Sequence, residues 1–356
     1  MTDVSDTASH SLAPPIALSF TDGFPGLLDA LGGSIAFSTY QAGKFLLVGL
    51  AQDGQVRGTE LAFPRSMGIG LSSDLRQMYL ATQHQIYRFD NFLSPSERRE
   101  DGTDAIFVPR VSWVTGDLDA HDIAPGPGGR PVFVNTAFNC LAQVRAGFSF
   151  RSIWRPPFIS TTVYEDRCHL NGMATENDAP RYVSLCAQSD RPRGWREARV
   201  EGGLVMDVRT NDVVCRGLSM PHSPRLYRGR LWILNSGCGE FGWIDLDAGT
   251  FKPIAFCPGY ARGLAFAGGH ALIGLSGPRD DRLFEGLPLQ EKLHALGISA
   301  SCSVVVVNLT SGKVVGSLSL PESIRELYDV QFLPGIRNPT AIGFRTEEIR
   351  RMIAIG

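Results

Sequence analysis

Residues 119–135 read DAHDIAPGPGGRPVFVN, and the order of residue types in this stretch decides the fold. A polar, a small and an apolar residue, His121-Asp122-Ile123, lead into a Gly/Pro turn and then a second β run, Pro131–Asn135. The same order returns at Met67-Gly68-Ile69, Asn171-Gly172-Met173, His222-Ser223-Pro224, Arg262-Gly263-Leu264 and Tyr328-Asp329-Val330. Successive first residues are 54, 50, 51, 40 and 66 positions apart, and closing the circle from Tyr328 through both termini to Met67 takes about 60 more. Units of that length, each made of three or four short strands, are the blades of a β-propeller.

Working outward, the chain is a series of short β runs separated by turn residues, such as 44–50 (KFLLVGL), 78–82 (MYLAT), 231–235 (LWILN), 271–275 (ALIGL) and 303–308 (SVVVVN). Helical patterns are confined to Pro25–Leu31 and to Leu289–Leu296, the latter inside an insertion that begins near Ser276. The pattern predicts an all-β, six-bladed propeller occupying 16–356, with 1–15 a disordered tail. The β runs between Ile35 and Leu61 have no inner strand of their own, and the last blade runs out of sequence after Ile349–Ile355. Both chain ends are therefore expected to share one closing blade, which removes free sheet edges. A count of seven blades stays open, because not every N-terminal strand is assigned.

The bulk numbers bound the partners. Of the 356 residues 43% are hydrophobic and 20% charged, with a formal net charge of −2. With no Lys/Arg block, nucleic acid is not an expected partner, and no apolar run is long enough for a membrane span. Seven scattered cysteines and no apolar leader point to free thiols and a cytoplasmic location. Nothing in the sequence sets the oligomeric state.

In a propeller the inner strands start, and the turns after the second strands lie, at one face of the disc. The residues leading the inner strands and those in the second-strand turns therefore meet at one mouth of the central channel. His121, His169 and His222 fall there in three consecutive blades, and strand alternation points His169 the same way as Asn171. Three neutral imidazoles on one axis suit Zn or Fe, with Cu a further option, and leave positions open for water or substrate. The other reading of each histidine is a cap on its own blade through a backbone carbonyl.

Asp122 or Glu165 is the expected base, Arg262 the anchor for an anionic group, and Tyr328 the proton donor. Asn135, Asn171, Asn235, Ser223 and Asp329 complete a substrate-binding rim. Cys140, Cys168 and Cys238 also fall at the mouth, as small buried residues or as thiolates. The segments 154–159 (WRPPFI) and 188–195 (QSDRPRGW) read as partial lids.

The motifs STYQAGK (38–44), HDIA (121–124), WRPPFIS (154–160), EDRCHLNG (165–172), MPHSPR (220–225), LNSGCGEFG (234–242), CPGYARGLAF (257–266) and LYDV (327–330) resemble a bacterial family known by a domain of unknown function. That resemblance implies propeller architecture and supplies no activity. The set His121, His169, His222, Arg262 and Tyr328 is also similar to the site of the peptidylglycine amidating lyases, which hold zinc, although no continuous motif of that family is present. The carboxylate-and-Asn calcium site of gluconolactonase-like propellers is not evident.

The expected function is a metal-dependent enzyme of hydrolase or lyase type acting on a small polar or anionic molecule, or a peptide, at the channel mouth. An Fe- or Cu-dependent oxygenase using the same three histidines is the next reading. A non-catalytic propeller that binds a ligand or protein on its face is the third.

Overall fold

A computed structural model describes residues 17–277 and 285–355; the expected tail, 1–15, lies outside them. Six small sheets stand in a ring. Their inner strands are Ile69–Leu71 (blade 1), Ala120–Ala124 (blade 2), Leu170–Glu176 (blade 3), Pro221–Tyr227 (blade 4), Tyr260–Ala267 (blade 5) and Leu327–Pro334 (blade 6). Each inner strand packs on those of the blades at either side, so the circle closes with six. No helix among the described residues is long and apolar enough to cross a membrane.

The runs that read as uninterrupted hydrophobes are the middle strands of blades. Ser303–Asn308 (SVVVVN) and Lys44–Leu50 (KFLLVGL) are buried almost throughout, because a blade is covered on both faces by its neighbours. Outermost strands such as Phe148–Trp154 meet water and carry mixed sequence.

Closure follows the expected plan. Leu327–Pro334 pairs antiparallel with Gly33–Thr39, Val330 opposite Phe37, and Lys44–Leu50 and Val56–Ala62 complete blade 6. Both ends then overshoot into neighbouring blades. Ser19–Phe20 adds a fifth strand to blade 5 along Val314–Ser319, and Pro339–Ala341 runs parallel to the outer strand of blade 1. The Asp104 carboxylate fastens the latter by accepting the N–H groups of Arg337 (2.8 Å) and Asn338 (2.9 Å). The run at 349–355 adds no strand; Met352 packs instead on Leu93, Ile106 and Val108 of blade 1.

Two sets of side chains stitch blade to blade, and they explain much of the polarity at the mouth. Hydroxyls at the ends of second strands donate to the inner strand of the next blade: Ser38 to Met67 O (2.6 Å), Thr136 to Leu170 O (2.6 Å), Ser236 to Ala261 O (2.7 Å) and Ser276 to Leu327 O (3.0 Å). The second residue of the repeated triplet alternates around the ring between an acceptor and glycine. Asp122 accepts Met173 N–H (2.9 Å), Ser223 accepts Gly263 N–H (3.1 Å) and Asp329 accepts Ile69 N–H (2.8 Å), each reaching forward one blade. The intervening glycines, Gly68, Gly172 and Gly263, sit where the next strand comes close. A Cβ on Gly263 would stand 2.4 Å from Val330 N, and its φ of +74° already disfavours any other residue.

Candidate functional site

The three histidines reach the mouth by a shared backbone device. The residue two positions before the ring position is left-handed in four blades: Arg65 (φ 47°), Asp119 (51°), His169 (51°) and Met220 (44°). In blades 2 and 4 this turns a carbonyl back onto the following histidine. Asp119 O accepts from His121 Nδ1 (2.9 Å), and Met220 O accepts from His222 Nδ1 (2.8 Å). Nδ1 of His169 instead donates to the Asp166 carboxylate (3.0 Å), which also accepts the indole N–H of Trp195 (2.8 Å). Because His169 itself is left-handed and precedes its strand, the two-residue alternation expected to orient it does not operate; the turn does.

With every Nδ1–H committed, each imidazole presents Nε2 as its basic nitrogen. The Nε2 atoms part company from there. That of His222 accepts the amide of Asn171 (3.0 Å) and is spent. Those of His121 and His169 have no hydrogen-bond partner among the described residues, and the two rings meet edge to face with centroids 5.0 Å apart. Trp195 stacks on His169 at 4.2 Å. Burial holds His121 down to about 4 and His222 well below its ordinary value, so both are neutral at pH 7. Burial would raise Asp166, but His169 and the Trp195 indole outweigh it and keep the carboxylate ionised.

Tyr328 lies against His121 (centroids 5.5 Å) and stacks on Tyr40 (5.4 Å). Its hydroxyl is buried without a partner among the described residues, and burial raises it well above the usual phenol, so it stays protonated as a donor. Arg262 is buried against Glu326 (3.0 Å), with its guanidinium over the Tyr260 and Tyr328 rings. Its anion-anchoring capacity is thus largely met inside the protein.

The remaining expected residues are engaged elsewhere. Asp122 takes two N–H groups of Arg225 (2.7 and 3.2 Å) besides its inter-blade bond, and Asp329 stands 3.8 Å from the same arginine. Burial, only partly offset by Arg225, pushes Asp329 up to about 7. Glu165 pairs with Arg167 (2.7 Å). Asn135 accepts Phe138 N–H within its own second-strand turn, and Asn235 accepts Ser219 N–H, tying its turn to the segment that leads into the inner strand of blade 4. Burial raises the thiols of Cys140, to about 11, Cys168 and Cys238, which leaves no thiolate at the mouth. All seven cysteines are free.

As arranged, the three histidines do not fit a resident transition metal. His222 has given its lone pair to Asn171, and no three His, Cys, Asp or Glu side chains among the described residues are grouped to hold an ion.

Two spaces lie beside this cluster, one bordered by His121 and the other by the Asp119 and Asp166 carboxylates. On the axis, His121, Asn171, His222, Arg262, Tyr328 and Asp329 border a cavity of about 10 Å³, room for one water. At the mouth lies a pocket of about 320 Å³, bordered by Tyr40, Arg65, Asp119, Tyr164, Asp166, Arg193 and Arg196 among others. It is large enough for a small molecule, and its walls include the carboxylates that sit on His121 and His169. Of the two expected lids, 154–159 folds down, with Ile159 buried in the core between blades 2 and 3; 188–195 reaches the pocket through Arg193. Tyr40 and Arg196 carry no sequence signal as site residues beyond the arginines clustered around Trp195; Asp166 reads from the sequence as an acidic neighbour able to orient an imidazole, and Trp195 ends the expected lid 188–195.

No curated protein matches the chain in sequence. Among solved structures it is similar to a chain of a nidogen/laminin complex (TM-score 0.53, 11% identity, covering 85% of this chain and 99% of that one). A protein of unknown function from Bacteroides caccae is similar to the same degree (0.53, 8%, 85% and 99%). A virginiamycin B lyase from Staphylococcus aureus aligns more loosely (0.41, 13%, 86% and 100%). At these identities the likeness is one of fold. One family matches residues 22–342, nearly the whole propeller, and the chain belongs to it: the Domain of unknown function (DUF4915) family.

Proposed function

We propose that the mouth carries out acid–base chemistry of the hydrolase or lyase type on a small polar substrate. The observation that carries this is the pair of neighbouring imidazoles, His121 and His169, whose Nδ1–H groups are anchored and whose Nε2 lone pairs are not. His169 Nε2 takes the proton from substrate or water, and Asp166 fixes its tautomer and balances the imidazolium that forms. The Tyr328 hydroxyl donates to the oxygen on which charge develops. The strained backbone at His169 and Asp166 (φ 51° and 45°) fits a site held in place by its surroundings.

The test is turnover by the purified protein against a panel of small esters, lactones and carboxylates with a β leaving group. A hit should fall at least about 100-fold in His169→Gln while the fold is retained. Unchanged turnover in that variant sinks the reading. The metal-dependent form is checked separately by elemental analysis. About one transition metal per chain, lost in His121→Ala and His222→Ala, would restore a three-histidine centre and require Asn171 to release His222.

A further inference from the structure

We infer that the mouth pocket binds its ligand through an oxyanion, a carboxylate or a phosphate, held by Arg193 and Arg196. This names the substrate class of the acid–base site just proposed and rests on that reading. The two arginines flank Trp195 on the short 3-10 segment Gly194–Ala198. Trp195 is buried and clamped by its stack on His169 and its bond to Asp166, so the pair stands on a fixed platform. Arg193 is itself left-handed (φ 52°), and its N–H is tied to Glu165 O across the pocket (3.1 Å).

The carboxylates of the pocket are each engaged by another group, so none is paired directly with these two cations. Asp117 is taken by Arg65 (3.1 Å), Glu165 by Arg167 (2.7 Å), and Asp166 by His169 and the Trp195 indole. The Asp119 carboxylate faces His121 Nδ1 at 3.5 Å. Among the described residues neither the Arg193 nor the Arg196 guanidinium has an ion-pair or hydrogen-bond partner; Arg196 lies over Trp195 (5.2 Å). Guanidinium forks on a rigid support bind carboxylate and phosphate oxygens in pairs. They therefore take the anchoring role that Arg262, paired with Glu326, does not have free.

Calorimetric titration with succinate, inorganic phosphate and, as neutral control, succinamide tests this. One anion should bind per chain, and at least 10-fold more weakly in R193Q/R196Q. Both arginines are exposed, so the double variant should fold. Succinate binding alone identifies a carboxylate ligand, and phosphate binding alone a phosphate ligand; either supports the inference. Binding of neither anion, equal binding of succinamide, or binding unchanged in R193Q/R196Q overturns it. Arg-dependent binding together with unimpaired turnover in H169Q would instead leave the anion site standing and remove the acid–base reading.

Discussion

Tyr328 buries its hydroxyl beside the axial cavity with room for one water, and no protein group among the described residues bonds it. Since no protein partner is lost, Tyr328→Phe should keep its stability within about 1 kcal/mol in denaturant unfolding. Under the proposed chemistry the same change should lower turnover by at least about 100-fold. A stable variant of undiminished activity would assign Tyr328 to packing. His121 supplies a second prediction. Its folded value, about 4, lies below the ordinary 6.5, so the unfolded chain takes the proton first as pH falls. The stability held by the neutral ring is complete above pH 6.5 and is lost through the window down to 4, about 3 kcal/mol in all. His222 adds to the loss in the same direction. Unfolding midpoints measured from pH 7 to 4 should therefore fall, and His121→Asn should flatten part of that slope.

Blades are fastened by clips that repeat along the chain. Gly263→Ala should cost about 2–4 kcal/mol, since the added methyl meets Val330 N at 2.4 Å on a left-handed backbone. Gly229→Ala is the control. Its φ is similarly positive (73°) but nothing stands within 4 Å, so only the backbone term of about 1 kcal/mol remains. Comparable losses in the two variants would mean that the inter-blade approach does not matter. Arg225 tests the acceptor half of the clips. Replacing it with Leu leaves Asp122 and Asp329 facing each other without their shared cation, a change expected to cost about 3–5 kcal/mol.

At the scale of the molecule, the ring is held by its shared blade and by the strands that overshoot it. A chain ending at Glu326 lacks the inner strand of blade 6 and should give no cooperative thermal transition. One ending at Gly335 keeps that strand and loses Pro339–Ala341 with its Asp104 anchor. It should fold, melt at a lower temperature, and keep its mouth intact. Equal melting of the Gly335 chain and the full chain would make the parallel strand dispensable.

The ring is legible in the local pattern of the chain. Six occurrences of one triplet, each leading into an inner strand, point to six blades, a count that the closed ring settles against seven, and place His121, His222, Arg262 and Tyr328 on the axis, because period and strand direction are local properties of the chain. Tertiary structure decided which of these side chains remain available. Asp122 and Asp329 share Arg225, Arg262 meets Glu326, and His222 is spent on Asn171. Each partner is brought in by another blade or by a residue far along the chain, and no spacing rule encodes such a meeting. The His169–Asp166–Trp195 cluster and the arginines beside it depend on turns whose left-handed residues carry no glycine signal, so only the folded backbone reveals them.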